Sequence, residues 1–391
     1  MSNDLITEDE AEKERELLKK SRLPKVEVSE EVQKELAEKF GIDAQAEAEK
    51  GVAAAVAEFE RNETNKNSFG GTERMMEQLY RDLPSDLLDK YQIIPSRVRE
   101  LKEDKHRVLY LHDLAHDPEA KRAVDREGGW ARFHRLVFVS HWQRNQFLNI
   151  YPNIPWSRTA VIQNSIIPID LKEKPTDKIN LIYHTTPHRG LKILLPVFSK
   201  LREKHPNIHL DVYSSFAIYG WGERDETDAD SKAAIDLAKS TEGVTYHGFK
   251  PNDEVRTALQ DAHIFAYPSI WPETSCIALI EAMSAGCICV HPDFAALPET
   301  SANWTYMYAW HEDIQRHAQQ FYSALDVAIG VAQEQIQTES FYTSQLMAQK
   351  NYVDLFNNWN TKKHHWQAFL KSFANEELEI KRQFQAFNYE A

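Results

Sequence analysis

The chain has 391 residues, 42% of them hydrophobic and 27% charged, an ordinary globular composition that is too long for one core and suits two domains plus an appendage. No stretch approaches the roughly 18 uninterrupted apolar residues of a membrane span, and the acidic start MSNDLITEDEAEKERELLKK lacks the apolar run of a signal peptide, so a soluble, cytoplasmic protein is expected. The formal charge of −14 runs against a uniformly basic nucleic-acid binder, and three cysteines crowded at Cys276, Cys287 and Cys289 make neither a disulfide framework nor a CxxC pair, so no zinc site is expected.

Residues 1–60 alone carry a net charge of −8, and their helix-favouring stretches EEVQKELAEKF and AEAEKGVAAAVAEFER are broken by Pro24 and Gly41. They read as a charged helical appendage. After NETNKNSFGGTE the pattern changes: MMEQLYRDL has helical spacing, while RVLYLHDL and RLVFVS are short apolar runs of the kind buried strands have. Residues 61–170 are therefore expected to form a reduced Rossmann-like domain. Within it, Arg97 to Arg158 is net +4 and holds five histidines, which leaves an anionic acceptor open.

The polar stretch PIDLKEKPTDK marks a linker. From Ile179 strands alternate with helices, with INLIYHT, IHLDVYSS, VTYHGF, HIFAYPS and CICVHP as buried strands, and GLKILLPVFSKLREKH as a helix with Leu191, Leu194, Leu195, Phe198 and Leu201 on one face. That alternation predicts a parallel sheet covered on both faces, a second Rossmann-like domain over residues 171–341. The aromatic-rich tail, 342–391, is expected to form helices packing across the domains. The predicted fold class is α/β with two Rossmann-like domains.

The segment YPSIWPETSCIALIEAMSAG predicts a strand, a loop and a helix carrying Ile277, Leu279, Ile280 and Met283. Ligands of open α/β sheets bind at the carboxyl ends of strands, where helix N-termini offer free N–H groups, so Thr274, Ser275, Cys276 and Ile277 form a candidate diphosphate cradle. Glu273 and Glu281, eight apart, would stand roughly 12 Å from each other along a helix. That exceeds the roughly 5–9.5 Å of a hydrolase acid/base pair. They read as two anchors straddling one long ligand, or more plainly as a helix-start acid and an exposed helix residue.

Glu273-(TSCIALI)-Glu281 resembles the E-x7-E motif of retaining glycosyltransferases of family 4, and Ala285-Gly286 with CICVHPDFAALPE matches the run that follows. The resemblance extends over about residues 67–300, through FGGTE, LHD, FVSHWQRNQF, VIQNSI, YHTTPHRGLKILL and VTYHGFKPNDEV. It implies the GT-B arrangement of two facing Rossmann-like domains and metal-independent sugar transfer with retention. The co-substrate would be a nucleoside-diphosphate sugar, with no further cofactor.

Residue by residue, the resemblance implies that Arg189, followed by Gly190, neutralises the donor diphosphate, that Glu281 holds the ribose hydroxyls and that Glu273 contacts the transferred sugar. The family's second basic residue before the Lys/Arg-Gly pair is missing here, and His184 or His188 would substitute only if protonated. Gly70, Gly71 and Thr72 would line the cleft. His112, with Asp113 beside it, would hydrogen-bond the sugar or help deprotonate the acceptor, and base contacts would come from backbone near Phe249. Ser140-His141 and Asn164-Ser165 read as structural turns.

The acceptor reads as a saccharide, with DNA carrying a hydroxylated base, as in virus-encoded transferases, as the alternative. A glycosyltransferase-like protein that only binds is the reading of another class.

Overall fold

Two all-parallel sheets carry the protein, and their strand orders differ in a way that decides where a ligand can sit. The computed structural model describes residues 69–98, 100–125, 129–338 and 340–380, all within one compact unit, Asn65–Ala391. The appendage expected over residues 1–60 lies outside the described residues.

The first sheet has the order β1 (Tyr91–Pro95), β2 (His106–Leu111), β3 (Arg135–Phe138) and β4 (Thr159–Val161). Helix α1 (Gly71–Asp82) precedes it, α2 (Pro118–Asp125) links β2 to β3, and α3 (His141–Ile150) links β3 to β4. All of β1, and all of β2 but Arg107, is buried, which is why YQIIP and HRVLYL are near-continuous apolar runs. Leu109, Leu136, Phe138 and Phe147 lie at the centre of this core.

The second sheet has six strands in the order β10-β9-β8-β5-β6-β7: β5 is Ile179–Tyr183, β6 Ile208–Val212, β7 Val244–Tyr246, β8 Ile264–Ala266, β9 Ile288–Pro292 and β10 Tyr306–Tyr308. Counted from β5 as the first strand, this is the doubly wound order 3-2-1-4-5-6. The covering helices are α4 (Leu191–Lys204), α5 (Ala229–Ser240), α6 (Asn252–Asp261), α7 (Ile277–Ser284) and the long α8 (Ile314–Ile336). Leu191, Leu194, Leu195, Phe198 and Leu201 on α4 are fully buried in the core. Two strands depart from expectation: β6 fully buries only alternate residues, and β7 is half-exposed along its length, because it is an edge strand.

The tail forms α9 (Ser344–Phe356) and α10 (Trp359–Lys371). On α9, Gln349 donates to the Cys287 carbonyl (2.9 Å) and Lys350 to the Ser284 carbonyl (2.9 Å), beside the second sheet. On α10, Trp366 packs edge-on against Tyr110 of β2 at 4.9 Å, and Trp359 donates its indole N–H to Asp82 of α1. The tail thus touches both sheet systems. Glu299 adds a second tie, accepting the backbone N–H groups of His141 (2.8 Å) and Trp142 (2.9 Å) at the start of α3. A carboxylate is favoured there by the free donors and positive end of that helix. Among the described residues no helix is long and apolar enough to cross a membrane.

Candidate active site

In a doubly wound sheet the connections leave opposite faces on either side of the first strand, opening a crevice at the carboxyl ends of β5 and β8. The loops 184–190 and 267–276 enter that crevice. Gly190 makes their contact feasible: its φ is +132°, and a Cβ there would lie 2.2 Å from the carbonyl oxygen of Pro268. Beside this contact, Arg189 Nη1 donates to Glu273 Oε1 at 2.6 Å, and Nη2 donates to the Tyr219 hydroxyl at 3.0 Å. Tyr267 donates its hydroxyl to the same Glu273 oxygen.

The guanidinium is 20% exposed and the carboxylate 6%. Burial disfavours the charge on Arg189, but Glu273 together with Tyr219, Tyr267 and Cys276 outweighs it and holds the guanidinium well above its ordinary value. Trp271, 38% exposed, lies 5.8 Å from that guanidinium, and Trp221, 37% exposed, leans on Tyr219 at 5.5 Å.

Helix α7 begins at Ile277, with Cys276 as an N-cap that makes no side-chain hydrogen bond. Glu273 therefore sits in the loop ahead of the helix, not on it, and the helical 12 Å spacing to Glu281 does not apply. Of the expected cradle, Cys276 and Ile277 form the helix start. Thr274 Oγ1 donates to the His112 carbonyl across to the first sheet (2.7 Å), and the Ser275 carbonyl accepts from Asn164 Nδ2 (3.3 Å). Ser140 caps α3, accepting from the Gln143 N–H, and the Asn164 carbonyl accepts from Asn357 Nδ2 at 2.9 Å.

From the first sheet's side, the start of α1 touches the start of α7. Gly70, its N-cap, offers no side-chain cap, and Thr72 is in its first turn. A Cβ on Gly71 would lie 3.0 Å from Ile277 Cδ1, and one on Gly70 would lie 2.9 Å from Tyr219 Cε1. The start of α7 has no side-chain cap and no acid in its first turn, which favours an anion there, whereas the start of α1 already carries Glu73 beside Gly70. His112 and Asp113 follow β2 into the same region. Burial pushes the His112 imidazole down to about 3 and raises the Asp113 carboxyl. His112 Nε2, Thr186 Oγ1, His188 Nδ1 and Arg189 Nε are buried polar atoms without a hydrogen-bond partner among the described residues. At the rim, Phe249 (37% exposed) meets Phe69 with ring centroids 5.9 Å apart.

Glu281, far from being an exposed helix residue, is 2% exposed at its side chain. Its Oε1 accepts from Arg74 Nη2 of α1 (2.8 Å), from Arg256 Nη1 (3.4 Å) and from Asn252 Nδ2 (3.3 Å), the last two on α6. Burial works against its ionisation, yet Arg74, His184 and Arg256 together hold the carboxyl below its usual value. His184 and His188 are themselves pushed down to about 4 by burial, so both are neutral near pH 7 and neither supplies the missing second cation in this state. Arg74, Asn252, Arg256, Tyr219 and Tyr267 are not singled out by the sequence, and Arg74 lies 207 positions from its partner, a link that local spacing does not carry. Among the described residues no cluster of three His, Cys, Asp or Glu side chains is placed to hold a metal ion.

Residues 165–325 match the family Glycosyl transferases group 1, whereas no curated protein sequence matches the chain. Among solved structures, a glycosyltransferase from Rickettsia africae is similar with a TM-score of 0.57 at 13% identity, over 81% of this chain and 84% of that one. The Anabaena HepE protein in complex with UDP and glucose is similar with a TM-score of 0.54 at 15% identity, over 68% and 72%. An Escherichia coli trehalose-6-phosphate structure bound with UDP-2-fluoro glucose reaches 0.51 at 13% identity, over 68% of each chain. At such identities the likeness speaks for the fold alone. The family match spans all six strands of the second sheet, so residues 165–325 form a glycosyl transferases group 1 domain within a GT-B fold.

Proposed function

We propose that the protein transfers a sugar from a nucleoside-diphosphate sugar to an acceptor hydroxyl with retention, residues 171–341 holding the donor and residues 61–170 presenting the acceptor. The observation that carries this reading is the Arg189–Glu273 pair at the switch point, 2.6 Å across, beside the touching starts of α1 and α7. The diphosphate would lie at the start of α7, with Arg189 on its charge and the backbone of 274–277 donating to its oxygens. Glu281 would take the ribose hydroxyls, Glu273 the transferred sugar, and the backbone at Phe249 the base.

As the acceptor oxygen bonds to the anomeric carbon, the bond to the phosphate oxygen breaks and the acceptor proton passes to that oxygen. Arg189 and the α7 N-terminus stabilise the charge developing on the leaving group. His112, with its low pKa, is suited to hydrogen-bonding a sugar hydroxyl rather than to deprotonating the acceptor. A saccharide acceptor is favoured by the half-exposed Trp221 and Trp271 beside the pair, since flat aromatic faces pack against the C–H faces of sugar rings.

The test is release of nucleoside diphosphate from UDP-glucose and related donors by the full chain, with and without saccharide acceptors. Turnover that disappears in Glu273→Ala while the variant stays folded supports the reading. Donor binding without turnover under any acceptor would leave a binding protein instead.

A further inference from the structure

A donor diphosphate carries at least two negative charges, yet in the loop 184–190 Arg189 is the one charged cation, already paired with Glu273. Two arginines from outside the loop act on its histidines: Arg224, which lies over Phe216, on His188, and Arg74, which belongs to the other sheet system, on His184. Arg74 stands one turn into α1, three residues beyond the Gly71 that packs on Ile277, and its side chain is 24% exposed. Among the described residues the hydrogen bond to Glu281 is the only one its guanidinium makes.

The other two donors to Glu281 differ from it. Asn252 and Arg256 belong to α6 on the same sheet, and Arg256 is fixed by its Nη2 contacts to the carbonyls of Ile167 (2.9 Å) and Pro168 (3.2 Å). Oε1 of Glu281 therefore carries three donors, while Oε2 has only Asn252 at 3.4 Å. A ribose diol presents two O–H donors and needs both oxygens. To open Oε1, the group free to leave is Arg74.

We propose that Arg74 is the second cation of the donor site and works by exchange: the ribose hydroxyls displace its guanidinium from Glu281, and it turns to the donor's diphosphate. This rests on the donor-site reading above and adds a residue from the opposite sheet system to it. The exchange couples two recognition events. A nucleoside alone breaks the ion pair and returns nothing to Arg74, whereas a nucleoside diphosphate gives the displaced guanidinium a new partner with which two parallel hydrogen bonds are feasible.

The experiment is calorimetry on the full chain with UDP, GDP and ADP and their nucleosides, comparing the native protein with Arg74→Ala and Arg74→Lys. The proposal predicts that Arg74→Ala weakens the bound diphosphate by about ten- to a hundredfold. Its nucleoside should bind equally well or more tightly, and Arg74→Lys should recover most of the diphosphate affinity. Equal losses for nucleoside and diphosphate would mean that Arg74 merely shapes Glu281, and equal gains that it is only a latch; either result overturns the exchange. Should Arg74→Ala not fold, Arg74→Gln, which keeps a neutral donor to Glu281, must show the same split between diphosphate and nucleoside. If the native protein binds none of the diphosphates, the donor-site reading itself falls, a result distinct from any effect of Arg74.

Discussion

Arg189 and Glu273, 84 residues apart, form a largely buried ion pair where two loops of a doubly wound sheet meet. Removing either partner alone leaves the other charge poorly solvated. Arg189→Ala and Glu273→Ala should therefore each cost about 1–3 kcal/mol, and the double variant clearly less than their sum. Urea unfolding of the four proteins measures this, and strict additivity would mean that the pair is not energetically coupled.

Gly190 and Gly330 should respond in opposite directions to the same substitution. At Gly190 a methyl group meets the Pro268 carbonyl at 2.2 Å with φ at +132°, so Gly190→Ala should destabilise by more than about 1 kcal/mol and weaken donor binding. Gly330 sits within α8 with nothing within 4 Å of the added Cβ. There, Gly330→Ala should stabilise by about 0.5–1 kcal/mol. Melting temperatures that move the same way would contradict the close approach of the two loops.

Stability should fall as the solution is acidified from pH 7, beginning near the ordinary histidine value. Burial pushes His112 down to about 3, and His184 and His188 to about 4, from an ordinary value near 6.5. Between these limits the unfolded chain binds protons that the folded protein refuses, so stability rises with pH through that window and levels off above it. Each histidine contributes a slope of at most about 1.4 kcal/mol per pH unit. Melting at pH 7.5 and pH 5 checks this; equal transition temperatures would place these imidazoles in a more polar setting.

What was legible in the sequence followed from how local each signal is. Continuous apolar runs mark β2, β3, β5 and β9 because both faces of those strands are covered. Arg189-Gly190 stands out since a cation at a helix start asks for an anion. The edge position of β7 and the start of α7 at Ile277, beyond Pro272 and Glu273, depend on neighbours that spacing does not report. Arg74 lay beside the noted Gly70, Gly71 and Thr72, yet its partner is reached only by folding one sheet system onto the other. The long helix α8 follows no apolar run either, its buried His317, Phe321, Leu325, Ala328, Ile329 and Ala332 being spread along one stripe.

The most direct test of the account is a thermal-shift screen of UDP, GDP, ADP and their sugars against the native chain and Arg189→Ala. A ligand present at 100 times its dissociation constant should stabilise the native protein by about 2.7 kcal/mol. The account predicts that at least one diphosphate does so and that the shift vanishes in folded Arg189→Ala. No shift with any of them, or an equal shift in the variant, would contradict a donor diphosphate held at Arg189.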